Sequence, residues 1–141
     1  MREFELDFEG YYIDMNSLPT YGGIYLVYKG SYNPQTDKVD LDELIYIGEA
    51  ENIKKRHTDG HEHQDDFDSE VENLENGRVI YATAEIASET DRERVENALI
   101  YHHAHEYNID GANSFNHPTT RVISVGAIEF LDDDFTQDRV E

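Results

Sequence analysis

Apolar and polar residues alternate from the start of the chain. Phe4, Leu6 and Phe8 are interleaved with Glu5, Asp7 and Glu9, a period of two that predicts a short half-buried strand. Pro19 and Gly22-Gly23 then break the pattern. Ile24-Tyr25-Leu26-Val27-Tyr28 is an unbroken run of β formers and predicts a buried strand. Leu44 to Gly48 predicts its antiparallel return, with residues 30–40, around Asn33-Pro34, as an enlarged polar loop. Arg78 to Ala84 predicts a third strand, and Val122 to Val125 a further one.

Helical spacing recurs in three places. Asn52 fits the N-cap of a short helix carrying Lys54, Lys55 and Arg56. Phe67, Val71 and Leu74 stand at i, i+4 and i+7 and predict a second short helix, with Gly77 as its stop and an acidic outer face. Thr90-Asp91-Arg92-Glu93 has the form of a capping box. Behind it Val95, Ala98, Leu99 and His102 define one face of a helix reaching about Glu106. Residues 108–118 read as a polar loop anchored by Phe115. The acidic run from Leu131 through Asp132-Asp133-Asp134 reads as a disordered end. The expectation is a mixed α/β chain of the α+β kind forming a single domain over 1–141. Its elements run strand, strand, helix, strand, helix, with extra N- and C-terminal strands.

Composition narrows what such a domain can do. The 141 residues suffice for one real core, yet Cys and Trp are absent, so ten Tyr and six Phe carry much of the packing. Without Cys there is neither a disulfide scaffold nor a thiolate zinc site. No apolar run approaches the ~20 residues that span a bilayer, and Met1-Arg2-Glu3-Phe4-Glu5 does not open a signal peptide. No membrane partner is expected, and a cytoplasmic location is. The net charge of −21 argues against tight, unaided binding to nucleic acid, itself a polyanion. Lys54-Lys55-Arg56 is the one compact basic cluster.

Two echoes carry the candidate chemistry: Gly23-Ile24-Tyr25 and Tyr46-Ile47-Gly48. Arg56 follows ten residues after Tyr46, Glu96 stands on the long helix, and Asn108 comes a dozen residues later. This set resembles the GIY-YIG nuclease family over roughly 17–125, leaving 1–16 as an N-terminal extension and 126–141 as an acidic C-terminal segment. The resemblance implies a small domain around a central three-stranded antiparallel sheet flanked by helices, which cleaves DNA with one divalent ion, Mg²⁺ or Mn²⁺. It implies that Glu96 holds the metal, that Arg56 braces a phosphate oxygen, and that Tyr25, assisted by Tyr46, accepts a proton from water. It implies that Asn108 orients the site or contacts phosphate. Lys54 and Lys55 would join Arg56 in binding substrate. Family members often place Lys after the second motif's glycine and His or Tyr four residues after the Arg. Here those positions are Glu49 and Gly60, and His61, one residue on, takes the histidine role.

Each of these residues also has a plainer reading. Tyr25 and Tyr46 are at home in any sheet, and Glu96, four residues from Arg92, would serve as a surface ion-pair partner. His102, His103 and His105 suit the C-terminal end of a helix. Two alternatives therefore accompany the nuclease: a catalytically impaired binding module with this fold, and an acidic DNA mimic that binds a basic partner. With so acidic a surface, the nuclease would bind DNA weakly unaided and would act with a partner protein or as a homo-oligomer.

Overall fold

The computed structural model describes residues 1–103, 107–108 and 112–141. Six strands form one sheet: β1 (Arg2–Tyr12), β2 (Gly23–Asn33), β3 (Lys38–Ala50), β4 (Gly77–Glu85), β5 (Thr120–Gly126) and β6 (Asp134–Gln137). Their spatial order is β3-β2-β4-β1-β5-β6. The expected three-stranded antiparallel centre is β3-β2-β4, and β1, β5 and β6 double its width. Every pairing is antiparallel except β1 with β5. Three helices pack on the sheet: α1 (Ile53–Thr58), α2 (Gln64–Val71) and α3 (Glu89–His103).

The N-terminal alternation does what it predicts and more. Phe4, Leu6 and Phe8 are buried while Glu3, Glu5, Asp7 and Glu9 are exposed. The strand runs for 11 residues and lies inside the sheet, between β4 and β5. Residues 1–16 are thus mostly sheet and not an appendage.

The two sheet faces hold separate cores. Ile24, Leu26, Tyr28, Ile47 and Ile80 meet Val95, Ala98, Leu99 and Ile100 of α3. Tyr25, Val27, Ile45 and Tyr81 meet Ile53 of α1 and Phe67 of α2. In β2 the alternation of adjacent residues sends Ile24 to one face and Tyr25 to the other. A register shift opposite Val27 and Tyr28 lets Ile45 and Tyr46 share the α1/α2 face.

Several expectations change. The enlarged loop at 30–40 is mostly strand: Ser31, Tyr32 and Asn33 pair with Asp40, Val39 and Lys38. Its polar residues hid a hairpin closed by Asn33, whose Oδ1 accepts from the Gln35 N–H at 2.9 Å. Helix α2 ends at Val71, so Leu74 lies beyond it and Gly77 opens β4. Glu70 and Glu72 at that end oppose the helix dipole. The N-terminal cap of α3 is Ser88, whose Oγ accepts from the Asp91 N–H at 3.3 Å, two residues before the predicted box begins at Thr90. Ile100, not His102, belongs to its buried face. The acidic end is ordered: β6 pairs with β5, Phe135 is buried, and the His102 ring stacks on Phe135 at 3.9 Å. Phe115 is fully buried and its backbone bridges to Val140. The predicted helix end at Glu106, and His105, lie outside the described residues.

Candidate active site

The two motifs lie side by side on β2 and β3, with Tyr25 opposite Gly48 and Gly23 opposite Ala50. Both glycines are required by close approach. A Cβ on Gly23 would run into the Ala84 carbonyl of β4, and a Cβ on Gly48 would fall on the ring and hydroxyl of Tyr25. The glycine of the second motif thus makes room for the tyrosine of the first, and Tyr25 lies across it only 1% exposed. The Tyr46 ring stacks beside it, centroids 6.1 Å apart and 24° between planes.

His61 fixes the orientation of this pair. Its Nδ1 accepts from the His63 N–H at 3.0 Å, so the ring proton resides on Nε2. Nε2 stands 2.8 Å from the Tyr25 hydroxyl and donates to it. Burial, with the charge of Arg56 adding to it, pushes the imidazole down to about 3, so it is neutral at physiological pH. Burial also raises both phenols, Tyr25 well above its ordinary value and Tyr46 to about 12. Tyr46 and Glu96 raise Tyr25 further, and Glu96 and Glu62 raise Tyr46. Arg56 opposes the rise in both, and a hydrogen-bonding interaction with Tyr25 favours the ionised form of Tyr46. His61 donates to Tyr25 and the Tyr25 and Tyr46 rings stack beside each other, so the three side chains form a row that ends at Tyr46.

Tyr46, half-buried, opens on a cavity of about 330 Å³ that it shares with Glu62, His63, Glu96, Ile100, Tyr107 and Asn108. Glu96 projects from the second turn of α3. Its carboxyl is pushed up to about 7, first by burial and then by Glu49, while the Glu49 backbone N–H favours its ionised form. Arg56 lies in the adjoining hollow of about 430 Å³, lined also by Glu49, Glu51, Asn52, Lys55 and Asp59. It faces Glu62 at 3.6 Å. Asn52 caps α1 as expected, accepting from the Lys55 N–H at 3.0 Å, which aims Arg56 from the last turn of that helix. Lys55 lines the hollow and Lys54 lines neither cavity.

Of the two expected tasks for Asn108, the contacts in the fold fit the orienting one. It is buried, its Oδ1 accepts from the Ile47 N–H at 2.9 Å, and its Nδ2 donates to the Ile47 carbonyl at 2.7 Å. It pairs with the outer edge of β3 as a neighbouring strand would, and so holds the Tyr46-Ile47-Gly48 segment in place. Glu49 does not stand as a bare charge either. Arg92 Nε donates to its carboxylate at 3.0 Å, and the Arg92 guanidinium is almost fully buried. Arg92 thus serves Glu49, not Glu96 as helical spacing suggested.

Two buried residues, Arg92 and His57, escape a reading by motif. The only signal for His57 is its spacing of four from His61. Its ring stacks on His61 at 5.1 Å and meets the Tyr25 ring edge-on at 4.6 Å, and neither of its nitrogens has a hydrogen-bond partner. His102 and His103 line neither cavity. They bond Asp132, through its carboxylate at 2.9 Å and its N–H at 3.0 Å, and so secure the C-terminal segment.

A divalent ion fits this arrangement at one place. Among the described residues no group of three or more ligating side chains is assembled. Glu96 nevertheless presents a half-buried carboxylate to a cavity, with burial and Glu49 disfavouring its charge. A hard cation that keeps most of its waters suits a single such oxygen donor. Comparison of the chain with family models, with curated proteins and with solved structures finds no match.

Proposed function

We propose that the chain is a GIY-YIG-type endonuclease that hydrolyses DNA phosphodiester bonds with one Mg²⁺ or Mn²⁺, acting in the cytoplasm. The observation that carries this reading is the row from His61 through Tyr25 to Tyr46. It ends at a cavity that also holds Glu96, with Arg56 in electrostatic reach. A structural tyrosine pair has no need of that company.

In this reading each side chain has a task. Tyr46 is the phenol that meets the cavity, so it first loses its own proton to solvent and as phenolate takes the proton of the attacking water, while buried Tyr25 stands behind it. That reverses the order implied by the resemblance. His61 Nε2–H holds the Tyr25 oxygen, leaving the Tyr25 hydroxyl proton to stabilise negative charge on Tyr46. Arg56 exchanges its loose contact with Glu62 for a non-bridging phosphate oxygen, for which its fork of donors is suited. Glu96 anchors the ion, which when bound neutralises the phosphate and eases deprotonation of water. Asn108 positions the strand that carries Tyr46 and does not touch the phosphate.

Supercoiled plasmid incubated with Mn²⁺ or Mg²⁺ tests the reading. Wild-type protein is expected to nick it, and Glu96→Ala to abolish nicking while melting at or above the wild-type temperature. Intact plasmid across metals and salt concentrations sinks it. The binding-module alternative draws on the carboxylates Glu49, Glu51 and Asp59 that crowd the hollow around Arg56. It predicts a DNA or protein complex without cleavage.

A further inference from the structure

The buried guanidinium of Arg92 is the feature that the proposed mechanism leaves unused. Arginine is rarely buried so completely, and isolating its charge is costly unless every donor direction is met. Here Nε donates to Glu49 at 3.0 Å, and Nη1 donates to the carbonyls of Ile86 at 3.2 Å and Ala87 at 2.9 Å. These contacts join three pieces of chain. Arg92 itself belongs to the first turns of α3, Ile86 and Ala87 to the segment leading into that helix, and Glu49 to the end of β3. One turn further along α3 is Glu96, whose carboxyl feels both the charge and the backbone of Glu49. Arg92 thus holds Glu49, and with it the end of β3, against α3 one turn from Glu96.

We infer that Arg92 is a positioning residue for the cation site. By clamping Glu49 and the 86–87 carbonyls to α3, it sets the Glu96 carboxylate in the cavity beside Tyr46. The inference rests on the proposed role of Glu96 and assigns to Arg92 a part that neither motif spacing nor the proposed chemistry supplies.

The sign of one measurement separates positioning from plain electrostatics. Arg92→Ala removes a positive charge close to a cation site, so a Coulombic role alone makes Mn²⁺ bind more tightly. Positioning makes it bind more weakly. Mn²⁺ affinity is read by isothermal titration on wild type, Arg92→Ala and Arg92→Lys, each checked for folding by circular dichroism. The expected result is a loss of about tenfold for Arg92→Ala, the size of a lost supporting contact around a metal ligand. Arg92→Lys, which keeps the charge but cannot reach Glu49 and both carbonyls together, loses several-fold, and it decides the matter if Arg92→Ala does not fold. Unchanged or tighter binding in the folded variants, beside Mn²⁺ binding by wild type, overturns the inference alone. Wild-type protein that binds no Mn²⁺ overturns it together with the function it rests on.

Discussion

At the scale of single residues, Gly48 and Tyr25 form one feature split across two strands. Tyr25 can lie flat only because position 48 carries no side chain. Gly48→Ala should therefore act like overpacking of a tight core. It should cost about 1–3 kcal/mol, read by urea denaturation, and swing the Tyr25 hydroxyl off His61. A wild-type midpoint for Gly48→Ala would show that the ring has room to move. The glycine-tyrosine pairing was visible in the sequence as two short motifs, but not the reason for it. Only the strand register, which places residue 25 opposite residue 48, makes the two motifs depend on each other. Asn108 shows the converse. Its spacing singled it out, yet spacing alone could not say that both ends of its amide would be spent on the backbone of Ile47.

At the scale of elements, α1 and the turn after it deliver His57 and His61 to the underside of the tyrosine pair. Burial pushes His57 down to about 4 and His61 to about 3, with Arg56 adding to both. The unfolded chain takes up these protons near pH 6.5, so the stability owed to the neutral rings is complete above that pH. It is lost as pH falls through the folded values. For His57 the loss amounts to roughly 3 kcal/mol between pH 6.5 and 4. Because neither His57 nitrogen has a partner, His57→Phe gives up no hydrogen bond. It should match wild type at pH 7.5 and exceed it at pH 4.5 in urea midpoint. An unchanged acid limb in that variant would exclude His57 as its source. Elements were legible where burial followed a simple period, as in β1, β2 and α3. They were obscured where polar residues formed hydrogen-bonded structure, as in the Ser31 to Asn33 end of β2. In β6 one buried Phe135, stacked on His102, fixes a segment whose composition reads as solvent.

At the scale of the whole molecule, 32 acidic residues face 11 basic ones. The ion pairs Arg2–Asp91 and Arg121–Asp134 tie the N- and C-terminal strands to their neighbours, but most carboxylates exceed the supply of cations. Like charges at this density repel within a Debye length of about 10 Å in 0.1 M salt and about 3 Å in 1 M. Thermal stability should accordingly rise by several degrees from 0.05 to 1 M NaCl, an effect that sucrose, which does not screen charge, would not reproduce in its salt-specific part. A melting temperature independent of NaCl would mean that the surface charge is already neutralised within the fold. No helix among the described residues is long and apolar enough to cross a membrane.

The proposed chemistry turns on a neutral histidine bonded to buried Tyr25, and on Tyr46 stacked beside it as the phenol that meets the cavity. The rate of plasmid nicking in Mn²⁺ by wild type, Tyr25→Phe and Tyr46→Phe tests this most directly, since each substitution removes one oxygen and keeps the ring. Tyr46→Phe should lose at least about a hundredfold, the scale of a removed general base, and Tyr25→Phe a smaller factor. Nicking by folded Tyr46→Phe at the wild-type rate would contradict it.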